Sequence, residues 1–187
     1  MSALAQNETI QAILSRRTVR SYTGEPLTRE EIELLSRCAL YAPSARNRQS
    51  THVRVVTDQT MLDELNRDFK DTVGWDTPAY TRWDVNPVYQ TAPCMFFVFS
   101  EEDCGIDAGI LVENIVIAAK ALGLDSCIIG SVGALFEGAF AGKWKERLQV
   151  GANEHFLISV AVGHGAEDPP AKPRAEGRLL VIEPEKA

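Results

Sequence analysis

The 187-residue chain is 45% hydrophobic and 24% charged, the composition of a globular protein long enough to bury a sizeable core. Its net charge of -7 argues against a general nucleic-acid binder, which needs a basic face to meet phosphates. The longest apolar stretch, 106–122, is broken by Asp107, Glu113, Asn114 and Lys120, so a membrane span is not expected.

Asn7 or Thr9 is placed to cap a first helix that carries Ile10, Ile13 and Leu14 on one face and ends near Arg16 and Arg17. Thr28 and Glu31 form a capping box for a second helix with Ile32, Leu35, Ala39 and Ala42 on one stripe, stopped by Pro43. Residues 52–57 read as a strand, and Met61, Leu62, Leu65 and Phe69 fall at helical spacing. From 70 to 91 periodicity is lost, as in a lid or binding loop, while Trp75, Tyr80, Trp83 and Tyr89 accumulate. Residues 94–100 read as a buried strand and 107–122 as a buried helix, apolar nearly all round and stopped by Gly123. A short strand at 126–129, a helix at 137–148 and a strong strand at 156–162 follow, with 179–182 as a candidate last strand. Helices separate most of the strands, which gives an α+β or α/β domain around a central sheet.

Four cysteines, Cys38, Cys94, Cys104 and Cys127, form no C-x-x-C pair, so neither a zinc site nor a redox disulfide is expected, and no metal. Cys104 stands among Glu102, Asp103 and Gly105 and is expected at the surface; the other three read as small core residues. The first ten residues lack the basic-then-apolar order of a signal peptide, so the reducing cytoplasm is the expected compartment. His52, His155 and His164 are scattered, and no Ser-His-Asp or Cys-His constellation is visible.

Four clusters are candidates for chemistry. Arg16, Arg17, Thr18 and Arg20 stand where a helix hands over to extended chain, and arginine forks suit phosphate oxygens. The alternative is a solvated basic helix end, favoured by the helix dipole. Pro43, Ser44, Ala45, Asn47 and Gln49 form a polar turn whose amides offer donor and acceptor to a heterocycle edge; a plain connecting loop is the alternative. Gly130 and Ser131 follow a short strand, where glycine lets a backbone amide approach a ligand, although no dinucleotide or phosphate-loop fingerprint is present. Lys172 and Arg174 add two cations in a proline-rich tail.

Taken together, Arg16-Arg17-Thr18-x-Arg20, Pro43-Ser44-Ala45-x-Asn47-x-Gln49, the apolar helix ending Ala121-Leu122-Gly123-Leu124, and Gly163 followed by Lys172-x-Arg174 resemble the nitroreductase-like, FMN-dependent flavoproteins over essentially the whole chain. The resemblance implies one α+β domain spanning 1–187, with a central, mostly antiparallel sheet flanked by helices. It implies an intertwined homodimer with two FMN molecules at its interface and no nucleic-acid or membrane partner. By the same resemblance, Arg16, Arg17 and Thr18 contact the ribityl phosphate and Arg20 lies near the flavin pyrimidine. Lys172 and Arg174 are further phosphate cations. Pro43, Ser44, Ala45, Asn47 and Gln49 reach the flavin from the other subunit. Gly130 and Ser131 border the ring, and Asn86 is a candidate polar contact.

The implied activity transfers electrons from NAD(P)H through flavin N5 to a small aromatic acceptor such as a nitroarene or quinone, with no covalent protein catalyst. The cofactor carries the redox step and the protein binds and tunes it. Trp75, Tyr80 and Trp83 are the candidate substrate contacts, in a lid over 70–91; packing of these rings at the dimer surface is the alternative. A binding module that holds FMN without turnover also uses these residues, as does a related enzyme of flavin destruction, dehalogenation or ring oxidation.

Overall fold

The computed structural model describes residues 3–76 and 88–183. Asn7 begins α1 (Glu8–Ser15) by accepting from the amides of Thr9 and Ile10 at 3.1 and 3.3 Å. The capping box opens α2 (Arg29–Leu40): the Glu31 amide donates to the Thr28 hydroxyl at 3.2 Å, and the Thr28 amide donates to the Glu31 carboxylate at 2.7 Å. Asp58 caps α3 (Gln59–Val73) through the Met61 amide at 3.2 Å. This helix runs four residues into the segment where periodicity is lost, with Phe69 and Lys70 still buried. The longest helix, α4 (Gly105–Ala121), stops where Gly123 turns to φ 77° and lets Leu124 donate back to Ala119 at 2.8 Å. Among the described residues, no helix is long and apolar enough to cross a membrane.

A central antiparallel sheet flanked by helices makes this an α+β fold. Four described strands, β1 (Thr51–Val56), β2 (Cys94–Ser100), β3 (Asp125–Ile129) and β4 (His155–Gly163), lie in the order β1-β2-β4-β3 with every pair antiparallel. All seven residues of β2 are buried, so its alternate side chains must fill two apolar layers. Met95, Phe97 and Phe99 enter the layer shared with Leu62, Leu65, Phe69 and Trp144; Cys94, Phe96 and Val98 enter the layer shared with Leu35, Leu111 and Ile115. In the first layer the Phe136 ring stacks on Phe156 and meets Phe99 edge-on, each at 5.2 Å between centroids. The indole of Trp144 donates to the buried Asp68 carboxylate at 2.8 Å, and Lys143 reaches the same carboxylate at 2.5 Å, which ties α3 to the helix that carries both residues.

Several expectations need correction. The expected helix over 137–148 starts later, as α6 (Ala141–Arg147); a separate short helix, α5 (Gly133–Glu137), precedes it and ends before Gly138, where a Cβ would stand 2.9 Å from Thr72. Residues 179–182 form no strand here and their side chains are exposed. Cys104 is buried and Cys38 only half-buried, the reverse of the expected placement, because Cys104 stands at the start of α4 as that helix enters the core. Ile10, Ile13 and Leu14 are exposed and α1 turns the smaller Ala12 inward. α4 is not enclosed all round: Ile106 is 82% exposed and Ile110 also faces out.

Glu154, buried just before β4, gathers the edge of the sheet. It accepts from the Gly151 amide at 2.5 Å and from the ring of His52, with the Arg54 guanidinium 3.8 Å away. Arg54 also donates to the carbonyls of Leu148 and Gln149 at 2.9 and 2.8 Å. Burial pushes the Glu154 carboxyl up, but the Gly151 amide, His52 and Arg54 together outweigh it and hold it below the usual carboxylate range. A carboxyl depressed in the folded state contributes stability above its ordinary pKa of ~4.3 and loses it as pH falls through the lower folded value. Glu154→Gln is therefore expected to cost about 1–2 kcal/mol at neutral pH. In urea melts the gap to wild type should close below about pH 4. A gap of constant size down to pH 3 would count against this account.

Candidate functional site

The chain leaving α1 does not wander. Thr18 forms a parallel bridge with Ser126, and the Val19 amide donates to the Ser126 carbonyl at 3.1 Å, so this segment runs along the outer edge of β3. Buried Val19 anchors it. Half-buried Arg16, Arg17, Thr18 and Arg20 then line a cleft of about 190 Å³ together with Pro169, Pro170, Lys172 and Arg174. Two basic clusters from opposite ends of the chain thus meet in one place. Arg17 donates to the carbonyls of Leu14 and Arg16 at 2.9 and 2.7 Å, which closes the end of α1. Glu167 accepts from the backbone amide of Arg20 and fixes the tail against this segment. Five cationic side chains line this cleft, with Glu167 beside it, and such a concentration of positive charge attracts anions.

Beneath this cleft, burial keeps Cys127 and Tyr22 neutral. Burial raises the Cys127 thiol, an effect that Arg20 and Arg16 oppose and Glu167 reinforces. Burial likewise raises Tyr22, whose hydroxyl donates to the Val19 carbonyl at 2.9 Å. Neither group is an ionised nucleophile. Burial also pushes the Cys94 thiol up to about 12. Among the described residues no group of three or more His, Cys, Asp or Glu is arranged to hold a metal ion.

The second cluster is a strained turn. Arg46, Asn47 and Gln49 all adopt left-handed backbone angles, at φ 55°, 55° and 50°. The Gln49 amide donates to the Ser44 hydroxyl at 3.0 Å, and the Asn47 amide to the Ser44 carbonyl at 2.9 Å. Arg48 pairs with Glu102 at 2.9 Å. Pro43, Ser44 and Gln49 border a cleft of about 310 Å³ that also touches His52, Asp107 and Leu111. Ala45 borders another of about 510 Å³, with Arg48 and Asp107. The arginine cluster and this turn therefore line different clefts of the same chain.

Gly130 and Ser131 lie exposed in the turn after β3, with the Gly133 amide donating to the Gly130 carbonyl at 3.0 Å. A Cβ on Gly130 would meet only Ile158, at an ordinary 3.5 Å, so nothing within the chain requires glycine there. Trp75 is 52% exposed and its indole donates to Asp71 at 2.8 Å. Tyr89 belongs to the core instead: it is buried, accepts from Gln59 at 2.8 Å and donates to Asp63. Tyr80, Trp83 and Asn86 lie outside the described residues.

Sequence reasoning missed Asp107. This residue is buried in the first turn of α4, and both its carboxylate oxygens lie 3.2 Å from the Ala45 amide. An acidic residue there reads from sequence as a complement to the helix dipole. Its partner is a backbone amide far away in the chain, which leaves no mark in the side-chain pattern.

Residues 13–164 match the sequence pattern of the Nitroreductase family. The NADPH-flavin oxidoreductase of Vibrio harveyi is 26% identical over 186 residues, covering 95% of this chain and 74% of that protein. The FMN reductase (NADPH) of Bacillus subtilis is 29% identical over 194 residues, covering 90% and 70%. Among solved structures, an FMN-bound nitroreductase from Desulfitobacterium hafniense superposes with a TM-score of 0.86 at 27% identity, covering 95% of this chain and 100% of that one. An FMN-bound nitroreductase from Bacteroides fragilis gives 0.83 at 26% identity, with the same coverage.

Proposed function

The chain belongs to the nitroreductase family, and on that premise we propose that it is an FMN-dependent oxidoreductase that takes electrons from NAD(P)H and passes them to a small, flat aromatic acceptor such as a nitroarene or a quinone. The observation that carries the reading is the cleft in which Arg16, Arg17, Arg20, Lys172 and Arg174 converge, since these donors suit a terminal phosphate. Relatives named as flavin and FMN reductases support the same cofactor. When bound, FMN supplies the redox chemistry, accepting a hydride and releasing electrons to the acceptor.

The chain's own residues bind and orient. Arg16, Arg17, Thr18, Lys172 and Arg174 hold the phosphate end. Arg20 offers a cation to the pyrimidine edge, where preorganised positive charge favours the reduced, more anionic form. Gly130 and Ser131 present backbone to the ring. Pro43, Ser44, Ala45, Asn47 and Gln49 serve the flavin of a second copy. Two observations support that division: the turn and the arginine cluster line different clefts, and apolar side chains on α1 and α4, with Tyr41 at 80% exposure, are left in water. The 70–91 segment, with Trp75, Tyr80 and Trp83, selects the acceptor, and Asn86 is kept as a candidate flavin contact.

Purified protein is expected to release FMN on heating, and its absorbance to bleach when NADH or NADPH is added without oxygen. FAD in the extract, or no uptake of added FMN, would overturn the cofactor; bound FMN that never bleaches would favour a binding module. Arg20→Ala should weaken FMN binding by ~1.5–3 kcal/mol and lower the flavin's reduction potential, with the fold retained. Unchanged affinity and potential would remove Arg20 from the site.

Light scattering at micromolar concentration is expected to show a dimer. A folded, flavin-loaded monomer would refute the shared site.

Trp75→Leu keeps apolar bulk but loses a stacking face. It should change the ratio of kcat/KM between quinones and nitroarenes, while FMN content and the rate of flavin reduction by NAD(P)H stay the same. Equal loss on every acceptor, together with loss of the dimer, would show instead that the ring packs an interface.

A further inference from the structure

We propose that Asp107 is a positioning residue that holds the 43–49 turn in its flavin-facing shape through the Ala45 amide; this rests on the reading above that the turn serves FMN. The side chain of Asp107 leaves its own helix. It is 7% exposed, and its two carboxylate oxygens converge on one backbone donor of the turn. Its neighbours on α4, Ala108, Leu111 and Val112, are packed in the layer under β2. The contact therefore ties a surface turn to the core of the sheet.

The turn needs such a tie. Three departures into the left-handed region within four residues, at Arg46, Asn47 and Gln49, are unfavourable for side chains other than glycine, and asparagine alone among them tolerates the region well. A conformation of this kind persists only where its surroundings over-determine it. The Ser44 hydroxyl restrains the turn from within by accepting from Gln49. The Arg48–Glu102 pair reaches outside it but is solvent-exposed and screened, so it restrains weakly. Asp107 is the buried anchor, and a carboxylate on an amide makes the stronger, charge-assisted kind of hydrogen bond. With the turn already ordered, its polar groups meet the ligand without the entropy loss of fixing them at that moment.

The test compares wild type with Asp107→Ala and Asp107→Asn, with Arg16→Ala as a phosphate-end control. Hydrogen exchange by mass spectrometry is measured on flavin-free and flavin-loaded protein, and dissociation constants are measured for FMN and for riboflavin. The turn lies away from the phosphate. Asp107→Ala should therefore speed exchange in the 43–50 peptide, leave the 110–121 peptide unchanged, and raise Kd about tenfold for FMN and riboflavin alike. Asp107→Asn keeps one neutral acceptor and should fall between Asp107→Ala and wild type. Arg16→Ala should weaken FMN but not riboflavin. Faster exchange in the turn with unchanged flavin affinity would overturn the proposal, as would unchanged exchange. Faster exchange throughout α4 in both variants, with a fall in Tm, would overturn it in favour of a general packing role. A wild-type chain that binds neither flavin would overturn the parent reading, and the exchange rates would then judge the clamp by themselves.

Discussion

A strand with no face in water imposes the layered plan of this molecule. The side chains of β2 alternate between two apolar layers, and both must be closed by other elements. Helices α3, α5 and α6 close one and α2 and α4 close the other. Because α4 carries apolar residues on nearly every side, closing the layer under β2 uses only part of its surface and leaves Ile106 and Ile110 facing out. The apolar surface left over is thus a consequence of how the core is built.

The same plan decides where polar chemistry gathers. The interior of the sheet has no room for it, so the candidate groups collect at edges and at helix ends. The segment after α1 lies along β3 and brings its arginines beside the tail. The 43–49 turn sits where α2 gives way to β1 and is pinned to the first turn of α4. Both places are held by backbone hydrogen bonds from rigid elements, so their side chains start in defined positions. Cys127 and Tyr22, close to the arginine cleft, are neutral by burial and add no negative charge to it.

Local sequence signals were legible wherever a rule of short range governs. The Asn7 cap, the Thr28–Glu31 box and the Gly123 stop need only a few residues to act, and the helices begin and end close to them. The buried character of 94–100 followed from its unbroken apolar run. Reading failed where one local pattern serves two outcomes. The apolar run at 179–182 looks like a strand, yet a strand also needs a partner edge, and none among the described residues pairs with it. The stretch at 137–148 looks like one helix from its first residue, yet Glu137 ends α5 and α6 starts only at Ala141, after Gly138 approaches Thr72 of α3.

The sequence by itself determined most of the element types, the buried strand at 94–100 and the resemblance of the arginine and Ser-Asn-Gln clusters to one recognisable family, because hydrophobic period, caps and short motifs act over neighbouring residues. The tertiary structure alone decided that the Arg16–Arg20 segment and the Lys172–Arg174 tail share a cleft and that the 43–49 turn lies in others. It alone decided that Asp107 spends its charge on a backbone amide of that turn. The physical reason is that a backbone donor is the same at every residue. A carboxylate that finds one across the fold leaves no complementary side chain for a sequence to reveal.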